Sequence, residues 1–319
     1  MRIVPFVLAA LAGSSALARP EASPPPLLTF RPDPAPAAPE TAPQAAGSQP
    51  ALAESLKLPG NWWTVQIDPV MWYVAPAGDL RLPVNSGTGP GAFTTQGSEI
   101  DLNDFDMDQT RLSPAGSIQI AGGPWRFGIT GANYSVDRTV TSDVDARVGS
   151  VVLATGDQVA VDFNFSIFEF TAGYRLWNTD LAKESAHPEN AVSVQMDLYL
   201  VFGASLYDVD ISMTSVASAA ESDYAGTFVQ PIIGARFEAE FDEHFGLTLQ
   251  VTGGGLPLDS QSSACVDVAV GFQWRPIRNV GVLIGWRQAA FWLSDGDGLD
   301  EFTYNGTLAG LFAGLTIRF

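Results

Sequence analysis

Residues 192–202 read Val-Ser-Val-Gln-Met-Asp-Leu-Tyr-Leu-Val-Phe, and every second residue, counting from Val192, is apolar. Polar residues stand between the first of them, at Ser193, Gln195 and Asp197. Because successive side chains of a β-strand point to opposite faces, a period of two predicts a strand with one apolar and one polar face.

The same alternation recurs along the chain from Gly60 onward, in segments of the 9–11 residues or more that a strand needs to cross a bilayer at a tilt. A sheet can sit in lipid only when it closes and leaves no unpaired edge. We therefore predict an all-β fold, a transmembrane antiparallel up-and-down β-barrel of about ten strands, although any strand number from about 8 to 12 is compatible with the pattern. Segments 79–84 and 97–103 either extend the first hairpin or add strands. The predicted strands are 61–75, 110–121, 125–136, 158–177, 191–207, 225–241, 245–256, 262–274, 280–293 and 303–319.

Composition excludes two other classes. The chain carries 35 acidic and 16 basic residues, a net charge of −19, whereas nucleic-acid binding needs clustered Lys and Arg. No apolar run of 18 residues follows the N-terminus, which argues against a helical membrane protein.

The N-terminal residues predict export. Residues 1–18 have the pattern of a signal peptide, with Arg2, an apolar stretch and an Ala-Leu-Ala cleavage site. Residues 19–59 are rich in Pro and Ala, which predicts a disordered periplasmic tether, followed by the barrel at 60–319. The only cysteine, Cys265, is predicted to point into the barrel, and it leaves neither a disulfide nor a lipid anchor at the cleavage site.

Connection lengths orient the predicted barrel. Short turns at 122–124, 242–244 and 275–279 fall on one side, which we assign to the periplasm. Most links on the other side are long. Two links break the rule: 178–190 is long on the periplasmic side, and 257–261 is short on the other side. The links predicted to be extracellular are 76–109, 137–157, 208–224, 257–261 and 294–302.

Aromatic residues are predicted to form a belt at each membrane interface. A change of apolar parity between Phe165 and Phe168 predicts a β-bulge near Ser166 or Ile167. The periplasmic belt would hold Trp62, Trp63, Trp125, Trp177, Phe241, Phe245, Trp274 and Phe319. The other belt would hold Trp72, Tyr73, Tyr134, Tyr207, Trp286, Phe291 and Trp292.

The inward faces carry charges of both signs, and buried charges need partners. Two interpretations stay open: an Arg/Asp/Glu network that fills the lumen, or a lining that selects a solute. A barrel of about ten strands has little room, which favours a filled or narrowly gated lumen. The predicted lumen-lining residues are Asp68, Arg126, Asp162, Glu169, Arg175, Asp197, Arg236, Glu238, Glu240, Asp267 and Arg287.

An acidic loop at 294–301 offers a candidate metal site. Asp295, Asp297, Asp300 and Glu301 supply four carboxylates, and the intervening glycines permit a sharp turn. Such oxygen ligands could bind Ca²⁺, although acidic loops are commonly just solvated. No other cofactor is predicted.

The last strand, residues 311–319, resembles the C-terminal signal by which outer-membrane barrels are recognised. Gly314, Ile317 and Phe319 match that pattern, and Phe312 departs from it because a polar residue is usual there. Residues 63–177 also resemble a family of uncharacterised bacterial outer-membrane barrels, through Pro-Val-Met-Trp at 69–72 and Gly-Tyr-Arg at 173–175. The resemblance implies a Gram-negative outer membrane, its lipids and lipopolysaccharide, periplasmic chaperones and the barrel assembly machinery as partners. It carries no activity.

Catalysis is not expected. Outer-membrane barrel enzymes generally use a histidine near the outer leaflet, and His187 and His244 both fall on the predicted periplasmic side. The preferred function is therefore a structural or narrow-pore barrel, and the alternative is surface recognition or adhesion through the long loops.

Overall fold

The chain forms a closed barrel. The computed structural model describes residues 63–84, 93–182, 193–242, 244–258 and 260–319. Ten long antiparallel strands form one ring, in which consecutive barrel strands pair and the first strand pairs with the last. The predicted all-β, up-and-down barrel of about ten strands is confirmed. Residues 1–62 lie outside the described residues, and with them the predicted signal peptide (1–18), the tether (19–59) and the predicted belt residue Trp62.

Apart from two short 3-10 helices, at Leu102–Phe105 and Gly298–Asp300, the described elements are strands. No helix in this part of the chain is long and apolar enough to cross a membrane. The barrel strands are β1 (Trp63–Arg81), β3 (Arg111–Gly122), β4 (Trp125–Thr141), β7 (Gln158–Ala182), β8 (Ser193–Ser215), β9 (Glu221–Phe241), β10 (Phe245–Pro257), β11 (Gln261–Ile277), β12 (Val280–Asp295) and β13 (Phe302–Arg318). Three further short strands are β2 (Ile100–Asp101), β5 (Ala146–Val148) and β6 (Val151–Leu153).

The two ends of the barrel differ. The turn end carries the short links β3–β4, β9–β10 and β11–β12, and the loop end carries the opposite links. Strands run further toward the loop end than predicted: β8 and β9 leave only residues 216–220 of the expected long link at 208–224. Residues 79–81 extend β1, and Asp79 and Leu80 pair with β2, so the first predicted segment lengthens a strand and the second adds a short one.

The outward face of the turn-end half is apolar. On β9 this belt runs from Val229 to Phe241, which at about 3.3 Å per residue and a tilt of about 45° is roughly 28 Å tall. Exposed aromatic rings rim it at the turn end, as predicted, at Trp63, Trp125, Trp177, Phe241, Phe245, Trp274 and Phe319. Toward the loop end the outward face becomes polar: Phe168 and Phe170 of β7 give way to Ser166, Asn164 and Asp162.

The predicted second aromatic belt is only partly right. Tyr73, Trp286 and Trp292 are exposed on the outside. Trp72, Tyr134, Tyr207 and Phe291 instead point inward and are at most 2% exposed, because the loop-end half of the lumen is packed with apolar side chains.

This apolar filling also corrects the predicted bulge. The pairing of β4 with β7 runs without a break through Ser166 and Ile167. Phe163, Phe165 and Ile167 are apolar because they face the filled lumen, and Phe168 and Phe170 are apolar because they face outward. The irregularity of β7 lies between Arg175 and Trp177 instead.

In two places, adjacent strands stop pairing with each other before they reach the loop end. The ladder between β9 and β10 ends at Ile232 and Gly254, although β9 continues to Glu221. The ladder between β3 and β4 ends at Ala115 and Ala132. Pro231 explains the first separation, since it has no N–H to donate to β10. Both separations begin near the loop-end edge of the apolar belt, and both ladders are continuous from there to the turn end.

Candidate functional site in the lumen

The turn-end half of the lumen holds a polar network. Each member alternates along its strand with an outward apolar residue, so the pleat of the sheet delivers it to the interior. Among the described residues the network balances its charges. It contains six carboxylates, Asp68, Glu169, Asp197, Glu238, Glu240 and Asp267, and six arginines, Arg126, Arg175, Arg236, Arg275, Arg287 and Arg318.

Glu238 forms the centre of this network. Its two carboxylate oxygens contact Arg126 Nη2 at 2.5 Å and Arg236 Nε at 2.6 Å. Both arginines donate to the same amide oxygen, Oε1 of Gln119, each at 2.9 Å, and Arg236 also donates to Gln250 Oε1 at 3.2 Å. The guanidinium of Arg126 lies 5.2 Å from the centre of the Tyr199 ring. The cluster links five strands across the lumen.

A second cluster lies deeper, at the boundary with the apolar half. Arg287 is paired with two carboxylates, with Nε 2.8 Å from Asp267 Oδ2 and Nη2 3.0 Å from Glu169 Oε2. All three residues are at most 9% exposed. The guanidinium also lies 5.8 Å from the centre of the Trp72 ring. This cluster therefore forms the boundary between the polar network and the aromatic residues that fill the loop-end half of the lumen.

The network includes residues that the sequence prediction missed. Glu240 contacts Arg318 at 3.1 Å and Arg275 at 3.3 Å near the turn end, and neither arginine was predicted to line the lumen. Their alternation with the outward residues Trp274 and Ile317 was the signal that could have found them. Arg175 contacts Asp197 at 3.4 Å.

One predicted lining residue is wrong. Asp162 lies on the outer surface of the barrel and is exposed, because β7 carries no bulge at Ser166 or Ile167 that would turn it inward. It lies directly across from Asp137 on β4. Partial burial raises the pKa of Asp162, and the nearby carboxylates of Asp137 and Asp210 raise it further.

The loop-end half of the lumen is closed by aromatic rings from opposite walls. Phe291 of β12 lies 4.9 Å from Phe165 of β7 and 5.0 Å from Tyr207 of β8, measured between ring centres. Nearer the loop end, Tyr224 of β9 stacks on Phe302 of β13 at 3.7 Å. The mouth is covered by Leu102, Phe105 and Met107 from the β1–β3 link and by Val148, Val151 and Leu153 from β5 and β6, all at most 3% exposed.

Three spaces that share lining residues follow one another inward from the turn end. A vestibule of about 430 Å³ is bordered by Thr64, Glu240 and Arg318, which also border a neck of about 40 Å³. The neck shares Gln119 and Arg236 with an inner cavity of about 140 Å³. The turn-end half of the lumen thus contains unfilled space, whereas the loop-end half is filled with side chains.

The acidic loop does not gather its carboxylates. Asp295 accepts a hydrogen bond from Tyr224 at 2.8 Å, and Glu301 pairs with Arg81 at 3.1 Å. Asp297 and Asp300 lie at the start and within the 3-10 helix. Within the described ranges no group of three or more His, Cys, Asp or Glu residues could hold a metal ion, so the Ca²⁺ prediction finds no support in the geometry.

The residues of the C-terminal pattern lie at the closure of the ring. Gly314 faces Val70, and a Cβ at this position would lie 2.1 Å from the Pro69 carbonyl oxygen, which only glycine avoids. Ile317 faces Ile67 of β1 and lies across from Val280 of β12. The backbone N–H of Phe319 donates to Val65 O at 2.8 Å while its side chain stays 70% exposed.

Only one of the two histidines, His244, lies within the described residues, and it lies at the turn end. His244 is exposed in the β9–β10 turn, and its ring contacts the Asp242 carbonyl. His187 lies outside the described residues. Cys265 is buried among inward residues, as predicted, and forms no disulfide.

Comparison with known proteins adds only distant structural likenesses. No family model matches the chain, and no curated protein matches it. Solved structures that resemble it include the outer membrane protease OmpT from Escherichia coli, at 12% identity over 80% of this chain and 97% of that one, with a TM-score of 0.37. Neisserial surface protein A (NspA) is similar at 14% identity over 82% and 99%, with a TM-score of 0.29. Ail of Yersinia pestis is similar at 10% identity over 80% and 99%, with a TM-score of 0.26. At these values the likenesses decide nothing about function.

Proposed function

We propose that the chain is an integral barrel of a Gram-negative outer membrane, with its turn end in the periplasm, and that its lumen is closed to solutes. The apolar belt supports the membrane part, because its height of roughly 28 Å is close to the thickness of a bilayer's hydrocarbon core, about 30 Å. Outer-membrane lipids and lipopolysaccharide would surround the belt.

The filling of the loop-end half carries the proposal of a closed lumen. Buried rings from β7, β8, β12 and β13 meet across the barrel with centres 4.9 to 6.0 Å apart. Side chains packed at this density leave no room for water, and a solute would have to displace several of them together. A structural barrel fits this geometry better than a gated pore does.

Conductance of the refolded protein in planar bilayers tests the closed lumen. We expect no steps above the leak of the protein-free bilayer across about 0.1–1 M salt, where ions are abundant on both sides. Reproducible single-channel steps from the wild-type protein would overturn the proposal. Insertion is scored separately by protease protection, so that silence from protein left outside the bilayer is not counted.

Surface recognition is the second candidate, and one observation favours it. β7, β8 and β9 continue beyond the belt with polar outward residues, so a rigid wall rises above the membrane surface. Asp162, Asp208 and Asp210 are exposed on that wall. Surface recognition can be tested by measuring how fluorescently labelled vesicles that carry the barrel bind to host-like surfaces. Substitutions that remove the charges of this wall should weaken that binding.

Deletion of whole loops would be a poor test of recognition. The β1–β3 link and the β5–β6 hairpin bury apolar side chains over the mouth, so their removal would expose the core. Substitution of outward residues leaves that packing intact.

We also propose that the chain is not an enzyme of the histidine-dependent kind. His244 is solvated in a turn at the turn end, away from the outer leaflet in the proposed orientation. Any lipase or protease activity of the purified protein should therefore survive replacement of both histidines. Its loss in His244→Ala or His187→Ala protein would contradict this part of the proposal.

A further inference from the structure

The inner cavity combines a buried carboxylate with apolar walls. Asp68 lies on its border and is 3% exposed. Its oxygens accept hydrogen bonds from Gln66 Nε2 at 3.0 Å and from Ser117 Oγ at 3.0 Å. Neither donor is charged, and Asp68 forms no salt bridge within the described residues, although the charge of Arg236 acts on it from a distance.

The cations around the cavity are already engaged. Arg236 borders it, but its guanidinium is occupied by Glu238, Gln119 and Gln250. Arg287 is shared between Glu169 and Asp267. Within the described residues Asp68 has no ion-pair partner, whereas burying an unpaired carboxylate is costly.

Size and shape narrow the class of cation. The cavity of about 140 Å³ is roughly ten times the 10–15 Å³ that one water molecule requires. Val70, Leu283, Trp72 and Phe312 give it apolar and aromatic walls. A bare metal ion would need several oxygen ligands, and the described residues offer no cluster of acidic or metal-binding side chains for one. An organic cation with a charged head and a short apolar tail would match both the Asp68 carboxylate and the apolar walls of the cavity.

We infer that the inner cavity binds a small alkylammonium ion, which enters through the vestibule and neck at the turn end and pairs with Asp68. The inference goes beyond the proposed function, because a closed structural barrel requires no ligand. It is also independent of conductance, since the route ends beneath the aromatic rings. Ion conductance would contradict the proposal of a closed lumen but would have no bearing on the proposed binding site.

Isothermal titration and thermal unfolding of the refolded barrel in detergent test the inference, with n-propylammonium chloride as the probe. We expect saturable binding and a rise in the unfolding midpoint of about 3 °C near saturation. Sodium chloride at the same ionic strength, sodium propionate and the bulky tetrapropylammonium ion should all fail to reproduce it. Equal effects from all four salts, or no saturable binding, would overturn the inference.

Three variants sharpen the test. Asp68→Asn can keep one acceptor oxygen at the Oδ2 position, where Gln66 and Ser117 both donate, but removes the charge, and should lower propylammonium affinity at least about tenfold. Asp197→Asn removes a carboxylate that has its own arginine outside the cavity, and should bind like the wild type. If Asp68→Asn does not refold, Ala269→Leu remains: it keeps Asp68 but fills the cavity, and should also abolish binding. Wild-type affinity in Asp68→Asn or Ala269→Leu protein contradicts the site.

Discussion

Phe165 of β7 and Phe291 of β12 meet across the lumen with their ring centres 4.9 Å apart, although four strands separate them around the barrel wall. Both side chains are at most 1% exposed. The contact joins opposite walls directly, so the loop-end half is held together by a core as well as by strand pairing. In this respect it resembles the interior of a soluble barrel set on top of a membrane-type belt.

Loss of this contact should destabilise the barrel strongly. We expect Phe165→Ala to lower the free energy of unfolding by about 3–5 kcal/mol, since it leaves a cavity in a closed-packed interior. Denaturant unfolding of the refolded protein in lipid vesicles measures it. Phe168→Ala is the matched control, because Phe168 lies on the same strand but is 49% exposed on the outside. Similar losses in the two variants would contradict the assignment of inward and outward faces.

The pair of carboxylates around Arg287 gives a second stability prediction. Arg287→Met would leave Glu169 and Asp267 buried without a cation, and should cost about 3–5 kcal/mol of unfolding free energy. Arg138→Met is the control, since its pair with Asp106 is exposed and should contribute at most about 1 kcal/mol. Equally small effects of both substitutions would contradict a stabilising role of Arg287 between these two carboxylates.

Hydrogen exchange should reveal the separation of β9 from β10. The carbonyl of Pro231 points to Gly254 on the β10 side, and the carbonyl of Thr227 accepts from Gln261 on that same side. Residues of this parity above Pro231 therefore direct their N–H groups away from β8 and toward the gap. We expect the amides of Ala225, Thr227 and Val229 to exchange at least about tenfold faster than those of Ala235 and Phe237. Mass spectrometry of overlapping peptides or NMR can measure this, and uniform protection along β9 would show the ladder to be complete.

The sequence predicted the wall of the barrel well and its interior less well. Alternation placed all ten barrel strands, because a strand with lipid on one side and a polar lumen on the other must alternate. It could not show that the lumen changes from polar to apolar halfway along. Phe163 and Phe168 are both apolar for opposite reasons, and only the unbroken pairing of β4 with β7 distinguishes them from residues around a bulge.

The same limit explains which lumen residues were found. Asp68, Glu238 and Asp267 alternate along their strands with outward apolar residues, so the pattern predicted that their side chains point inward. Asp162 lies where the outward face is itself polar, and there the pattern carries no information about direction. Pairings such as Arg287 with Glu169 join strands that are far apart in sequence, so no local signal could have predicted them.

The C-terminal residue should matter for assembly more than for stability. Phe319 is 70% exposed, so Phe319→Ala should change the unfolding free energy of refolded protein by less than about 1 kcal/mol. If the C-terminal pattern acts as the assembly signal, the same variant should reduce the heat-modifiable form recovered from the outer membrane of expressing cells several-fold. Leu315→Ala is the control, because it removes an outward side chain of the same strand outside the matched pattern. Normal assembly of Phe319→Ala protein would exclude the signal.

The outward position of Asp162 makes a pH-dependent prediction. Its raised pKa means that the folded barrel holds the proton more tightly than the unfolded chain does, so its contribution favours folding at low pH and is lost as pH rises through the folded pKa. At pH 7 the charged carboxylate is repelled by Asp137 and Asp210. Asp162→Asn should therefore stabilise the protein at pH 7, by no more than about 0.5 kcal/mol at this exposed site, and the gain should vanish below about pH 4. Unfolding midpoints measured across this range at low salt provide the check. A gain that persisted at acid pH, or that was unaffected by added salt, would mean that charge repulsion is not its cause.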